Sequence, residues 1–293
     1  MAIEIYCDAG SNLYPKVLKE KNMNIHVMSM NVILNGKTYC CYDDDIDVEK
    51  FSKEYYAALD PAKKNVRTSL VSPGQFQEAF QKEVDAGNQV ICFTMAKGIS
   101  GTYQSACIAA DMVNQDAGKE VVHVINSATA GFGEGMQAMY AYENAQKGLS
   151  FKEVVQRSED YVFKVRSEFT VDDIRYLSST GRVSPLVAKI ANLLRIKVML
   201  KGSNESTIVL TKKVHGRKMS LKNLVTTCLE KITDKNSLVL ISHCDCEEDA
   251  LSVKKGLEEG GVNNVEIYPY DIVTGAHVGP GCVAIFYLGE NRD

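Results

Sequence analysis

Short apolar runs ending in Gly, Ser or Asp alternate with longer amphipathic stretches through the first half of the chain. This rhythm constrains the fold most. Residues 2–7, 25–34, 89–94 and 121–125 read as strands, and 47–59, 72–86, 105–114 and 133–147 read as helices. The pattern predicts a mostly parallel sheet with helices on its faces. Ser72-Pro73-Gly74-Gln75 is a well-formed helix start, because serine caps and proline suits the first helical position.

The second half opens after a capping-box helix at 150–164, with a strand at 165–170. A short helix at 172–177 stops at Ser178-Ser179-Thr180-Gly181, and the strongly apolar run 186–194 reads as buried. Residues 196–200 and 207–214, joined by a polar turn, read as a hairpin. Helices at 218–232 and 246–258 and strands at 237–242, 265–270 and 282–288 follow. A chain of 293 residues exceeds the usual single core. The expectation is two α/β domains: 1–164 with a mostly parallel sheet, and 165–293 with a mixed one.

A net charge of -4 offers no basic footprint, so no nucleic-acid partner is expected. No apolar run approaches the ~20 residues of a membrane span, which argues against stable membrane insertion. The N-terminus lacks the features of a signal peptide, and nine scattered cysteines suit a reducing compartment, so a cytoplasmic location is expected. Cys40-Cys41 lacks zinc-knuckle spacing, and His243-Cys244-Asp245-Cys246 has no second knuckle, so no metal is expected.

In an open α/β sheet the site lies in the loops after the strands. Those loops here are 8–12, 67–69, 97–102 and 126–131, three of them rich in hydroxyls. Ser100-Gly101-Thr102 resembles a helix entry, either receiving an anionic oxygen or simply capping. Residues 274–281 place three glycines and a proline around His277. Such a turn either presents the imidazole to a small polar group or merely precedes a strand. Ser100 and His277 also raise the alternative of a serine-dependent acyl hydrolase or acyltransferase, although no Gly-x-Ser-x-Gly elbow is present. No phosphate-binding or dinucleotide glycine motif occurs, so no cofactor is expected. Arg182, held by Gly181, suits a carboxylate or phosphate, or else an ion pair with Asp172 or Asp173. The basic cluster 212–218 suits solvent or an acidic partner.

Several of these pieces, in order, resemble the DegV family of bacterial fatty-acid-binding proteins. They are Asp8; Arg67-Thr68-Ser69 with Ser72-Pro73 and Phe76; the run from Ile99 to Ala106; Asn126-Ser127; the run from Val171 to Leu177; Thr180-Gly181-Arg182-Val183-Ser184; and His277-Val278-Gly279-Pro280-Gly281. The resemblance implies two α/β domains with an acyl-chain pocket at or near their interface. It implies that the fatty-acid carboxylate is held by Thr68 or Ser69, Ser100 and His277. It further implies a non-catalytic, lipid-binding role: presenting the acid to a separate fatty acid kinase, which makes an acyl phosphate for phospholipid synthesis. Arg182 is implicated in that partner or head-group contact. Leu70-Val71, Asn126, Val198 and His215 depart from the family pattern, but none is a proposed head-group residue.

Overall fold

Four of the apolar runs assemble edge to edge as a parallel sheet in a computed structural model that describes residues 2–41, 48–189 and 195–292. The sheet comprises β1 (Ile3–Asp8), β2 (His26–Met28), β6 (Gln89–Thr94) and β7 (Val122–Asn126), in the order β2-β1-β6-β7. In β6 every residue after Gln89 is buried, as a central parallel strand covered on both faces requires. Helices α1 (Pro15–Glu20), α3 (Pro73–Asp85), α4 (Thr102–Ala117), α5 (Phe132–Gln146) and α6 (Phe151–Val162) belong to this half. The starts of α3 and α6 are capping boxes, Ser72 with Gln75 and Ser150 with Glu153, each meeting two otherwise unpaired amides.

The run 25–34 does not form one strand. It breaks after β2, and β3 (Asn31–Leu34) turns away into a separate antiparallel sheet with β4 (Lys37–Cys40) and β5 (Val66–Thr68). No glycine or proline marks the break; the burial of β3, alternating exposed and buried, marks it as a half-covered strand. Thr68, expected in a loop, therefore ends an edge strand. Helix α2 (Val48–Ala58) falls within the expected helix, whose first residue, Asp47, lies outside the described residues.

The later half forms a six-stranded mixed sheet, in the order β10-β9-β8-β13-β11-β12. It contains β8 (Val165–Thr170), β9 (Ile196–Gly202), β10 (Ile208–His215), β11 (Val239–His243), β12 (Val265–Pro269) and β13 (Val283–Leu288). The hairpin β9–β10 is present, closed by Ser203 N–H to the Thr207 carbonyl at 2.9 Å. Only β11 and β12 pair in parallel. Helices α9 (Arg217–Lys231) and α10 (Glu247–Glu259) cover one face with their own apolar cluster. The opposite face joins a larger cluster that runs from Ile5 to Phe286 and so takes side chains from both halves.

The short helix expected at 172–177 is α7 (Arg175–Ser179), delayed because Asp173 accepts from the Arg175 amide. The run 186–194 is not wholly buried. Its beginning lies in a one-turn helix, α8 (Pro185–Ala188), which buries Val187 and leaves Leu186 75% exposed, because so short a helix covers only one side. Residues 190–194 lie outside the described residues. Among the described residues no helix is long and apolar enough to cross a membrane. Nor do three or more His, Cys, Asp or Glu side chains converge there as a metal site.

Candidate functional site

The segment around His277 is a helix rather than a loop. Asp271 caps α11 (Ile272–Val278) by accepting from the Thr274 amide at 2.7 Å. Glycine and proline suggested a turn, but Gly275 is there for packing: a Cβ would stand 2.0 Å from the Tyr56 hydroxyl. Gly279 ends the helix at φ 74° and ψ 171°, a region open essentially to glycine alone. His277 thus sits in the last turn, with its backbone fixed on both sides.

The end of β5 brings Thr68 against it, Oγ1 to Nε2 at 2.9 Å. His277 Nδ1 is buried and meets no hydrogen-bonding group among the described residues. Burial, with the positive charge of Arg182 adding to it, pushes the His277 pKa down to about 3. The ring is therefore neutral near pH 7, with one nitrogen on Thr68 and the other uncommitted.

Ser100 follows β6. Its Oγ lies 2.8 Å from Thr102 Oγ1 and accepts from the Thr102 amide at 3.3 Å, so it also steadies the start of α4. Ser69 is tied to β3 through Asn31, whose amide donates to Ser69 Oγ at 3.2 Å. Arg182 follows Gly181 and donates to the Thr180 carbonyl. The expected alternative, an ion pair with Asp172 or Asp173, is not what forms: Asp172 pairs with Lys197 and Asp173 with Arg175. In the basic cluster, Arg217 is drawn to Asp249, Nε to Oδ2 at 2.8 Å.

Thr68, Ser69, Ser100, Arg182 and His277 all line one cavity. Its remaining wall is largely apolar, including Met30, Met95, Ile99, Phe169, Ile208 and Phe286. Both the parallel and the mixed sheet contribute, so the cavity lies between them. It holds about 160 Å³. Thr68, Arg182 and His277 also border a second hollow beside Lys64 and Arg67, which puts them at one end of the cavity.

Of the buried carboxyls beneath this site, sequence reasoning singled out Asp8 and missed Glu134 and Asp271. Asp8 accepts from the Gly10 and Met95 amides, both at 2.8 Å, and so locks the loop after β1 to the loop after β6. Glu134 accepts from the Asp8 amide at 3.0 Å. Burial raises Asp8 to about 6, Asp271 to about 7 and Glu134 well above the usual carboxylate range. Asp8 was legible at a strand end. Glu134, among glycines, and Asp271, between apolar residues, gave no comparable signal.

Asp271 has a pH consequence. Its folded pKa is raised, so its contribution to stability is full below the unfolded value of about 3.8 and is lost as pH rises through about 7. His277 acts in the opposite sense: its contribution is present above about 6.5 and is lost as pH falls toward 3. Asp271→Asn keeps a good helix cap and removes the buried charge. The difference in Tm, variant minus wild type, is expected to rise between about pH 5 and about pH 8. A flat or falling difference would contradict this account of Asp271.

Fold and site together define an α/β protein with an internal apolar cavity, closed at one end by hydroxyls, a histidine and an arginine. The chain belongs to the DegV family, whose sequence model matches residues 2–290. The DegV domain-containing protein YteA of Lactococcus lactis is 29% identical over 291 residues, covering 99% of each chain. Among solved structures, the fatty acid binding DegV family protein SAG1342 from Streptococcus agalactiae superposes with a TM-score of 0.85 at 23% identity, covering 99% of this chain and 100% of that one. The Streptococcus pneumoniae Fatty Acid Kinase (Fak) B3 protein, loaded with linoleic acid, gives 0.82 at 19% identity with the same coverage. These likenesses establish a DegV fold over the whole chain.

Proposed function

We propose that this protein binds a long-chain fatty acid in the cavity, with its carboxylate at the end formed by Thr68, Ser69, Ser100 and His277. The observation that carries the reading is the convergence of these four side chains and Arg182, from distant parts of the sequence, on one apolar cavity. Each buried methylene contributes about 0.8 kcal/mol, so a long tail supplies most of the affinity. A carboxylate enters such a space only if it is paired, and hydroxyls, histidine and arginine are the donors that pair it. The two domains, 1–164 and 165–293, meet at this cavity.

The reading is one of carriage rather than catalysis. Ser100 is engaged with Thr102 and His277 with Thr68, and no described carboxylate orients His277 Nδ1. A histidine with a pKa near 3 is a weak base for activating serine. On this reading the bound acid is presented to a separate fatty acid kinase, with Arg182 at the mouth meeting the partner or the head group. The likeness to the Streptococcus pneumoniae Fatty Acid Kinase (Fak) B3 protein supports that step.

Ser100→Ala removes one donor to a charged acceptor, so the Kd for palmitate should rise on the order of tenfold or more. Calorimetric titration reads this directly. Unchanged affinity would take Ser100 out of the site, and ester hydrolysis lost in the same variant would favour the hydrolase instead.

A further inference from the structure

The cavity has a second polar station, away from the carboxylate end. Thr129, Ser167 and Tyr270 line it and are 4%, 8% and 5% exposed. Thr129 Oγ1 donates to Ser167 Oγ at 3.0 Å, with the Ala130 carbonyl as a second acceptor at 3.3 Å. Ser167 is therefore used as an acceptor, and its own hydrogen meets no described acceptor. Nor does any described group bond the Tyr270 hydroxyl, which stands beside Gly131. A Cβ on Gly131 would lie 2.6 Å from that hydroxyl, and a Cβ on Gly202 would lie 3.0 Å from Ser167 Oγ. Both hydroxyls thus pack directly against glycine backbone, where any larger side chain would displace them from their place in the cavity wall. Tyr270 precedes His277 by seven residues with α11 between them, so the two lie on the order of 10 Å apart along the helix.

A plain hydrocarbon tail gains nothing from these groups. It strips water from hydroxyls and returns no hydrogen bond, a cost that alanine, valine and phenylalanine at the same positions would avoid. We propose that the cavity takes a long-chain acid with an oxygen function, a hydroxyl above all, part-way along its acyl chain, read by Tyr270, Ser167 and Thr129. This rests on the fatty-acid reading above and narrows its substrate class. An alcohol accepts from Tyr270 or Ser167 and donates to the Ser167–Thr129 pair; an oxo group accepts only.

The test compares stearic acid with its mid-chain hydroxy and oxo derivatives, on wild type, Ser167→Ala and Tyr270→Phe. Wild type is expected to bind the best-placed hydroxy acid roughly three- to tenfold more tightly than stearate, the worth of one hydrogen bond. Each variant should bring that ratio to one or below, while stearate binding reports that it is folded. Equal or weaker binding of every oxygenated acid by wild type overturns the proposal, as does a preference that survives in both variants. Failure of wild type to bind stearate and its derivatives alike counts against the fatty-acid reading itself.

Discussion

Gly279→Ala is expected to destabilise the protein by about 3 kcal/mol or more, adding backbone strain to overpacking. The backbone there, at φ 74° and ψ 171°, suits glycine almost exclusively. An added Cβ would also lie 2.3 Å from the Tyr176 ring, a buried side chain whose hydroxyl donates to the Leu59 carbonyl at 3.2 Å. The ring therefore cannot yield without breaking a second contact. Gly148 is the control, since its φ is 76° and nothing lies within 4 Å of its added Cβ. Gly148→Ala should cost only about 1 kcal/mol. Urea unfolding of both variants separates clash from strain, and equal losses would remove the packing argument. Because His277 is two residues away, Gly279→Ala should also weaken ligand binding in whatever fraction still folds.

A loss of similar size, about 3 kcal/mol or more, is expected for Arg292→Met. Arg292 is 1% exposed, and its guanidinium donates to the backbone carbonyls of Val165 at 2.6 Å, Ala128 at 2.6 Å and Ser127 at 3.2 Å. It thereby ties the end of the chain to the loop after β7 and to β8, on either side of the cavity. Burial, with repulsion from Arg166, lowers its pKa to about 10, so the group still carries its charge near pH 7. Methionine fills much of the space and removes the guanidinium from all three carbonyls, of which that of Ser127 keeps the Gln137 side-chain amide at 3.0 Å. Lysine restores the charge but not the planar fork, so Arg292→Lys should recover only part of the loss. A change below about 1 kcal/mol for Arg292→Met would mean that other groups satisfy those carbonyls.

The strand-and-helix rhythm, the two capping boxes and the hairpin of β9 and β10 were legible because each is a local signal, written in spacing and cap chemistry. What failed depended on tertiary contact. Nothing local says that residues 25–34 divide between two sheets, since the break follows from β3 finding β4 and β5. Glycines around His277 pointed to a loop, yet Gly275 lies within a helix because Tyr56 occupies the space of its side chain. For the site, the family's ordered motifs picked out hydroxyls and a histidine that the fold brings to one cavity, where the head-group role is proposed for them. Asp271, Glu134, Tyr270 and Arg292 were not picked out, because their roles come from burial and from partners far away in sequence. Arg182 shows the same limit: its two candidate ion-pair partners are taken by Lys197 and Arg175, which only the folded arrangement reveals.

The central claim, that the cavity carries a fatty acid, is tested most directly by mass spectrometry of what the purified protein releases on denaturation. The account predicts a long-chain acid in near-stoichiometric amount, markedly reduced in Ser100→Ala protein prepared alongside. An empty cavity in repeated preparations, together with no saturable binding of any saturated, unsaturated or hydroxylated acid, would contradict it.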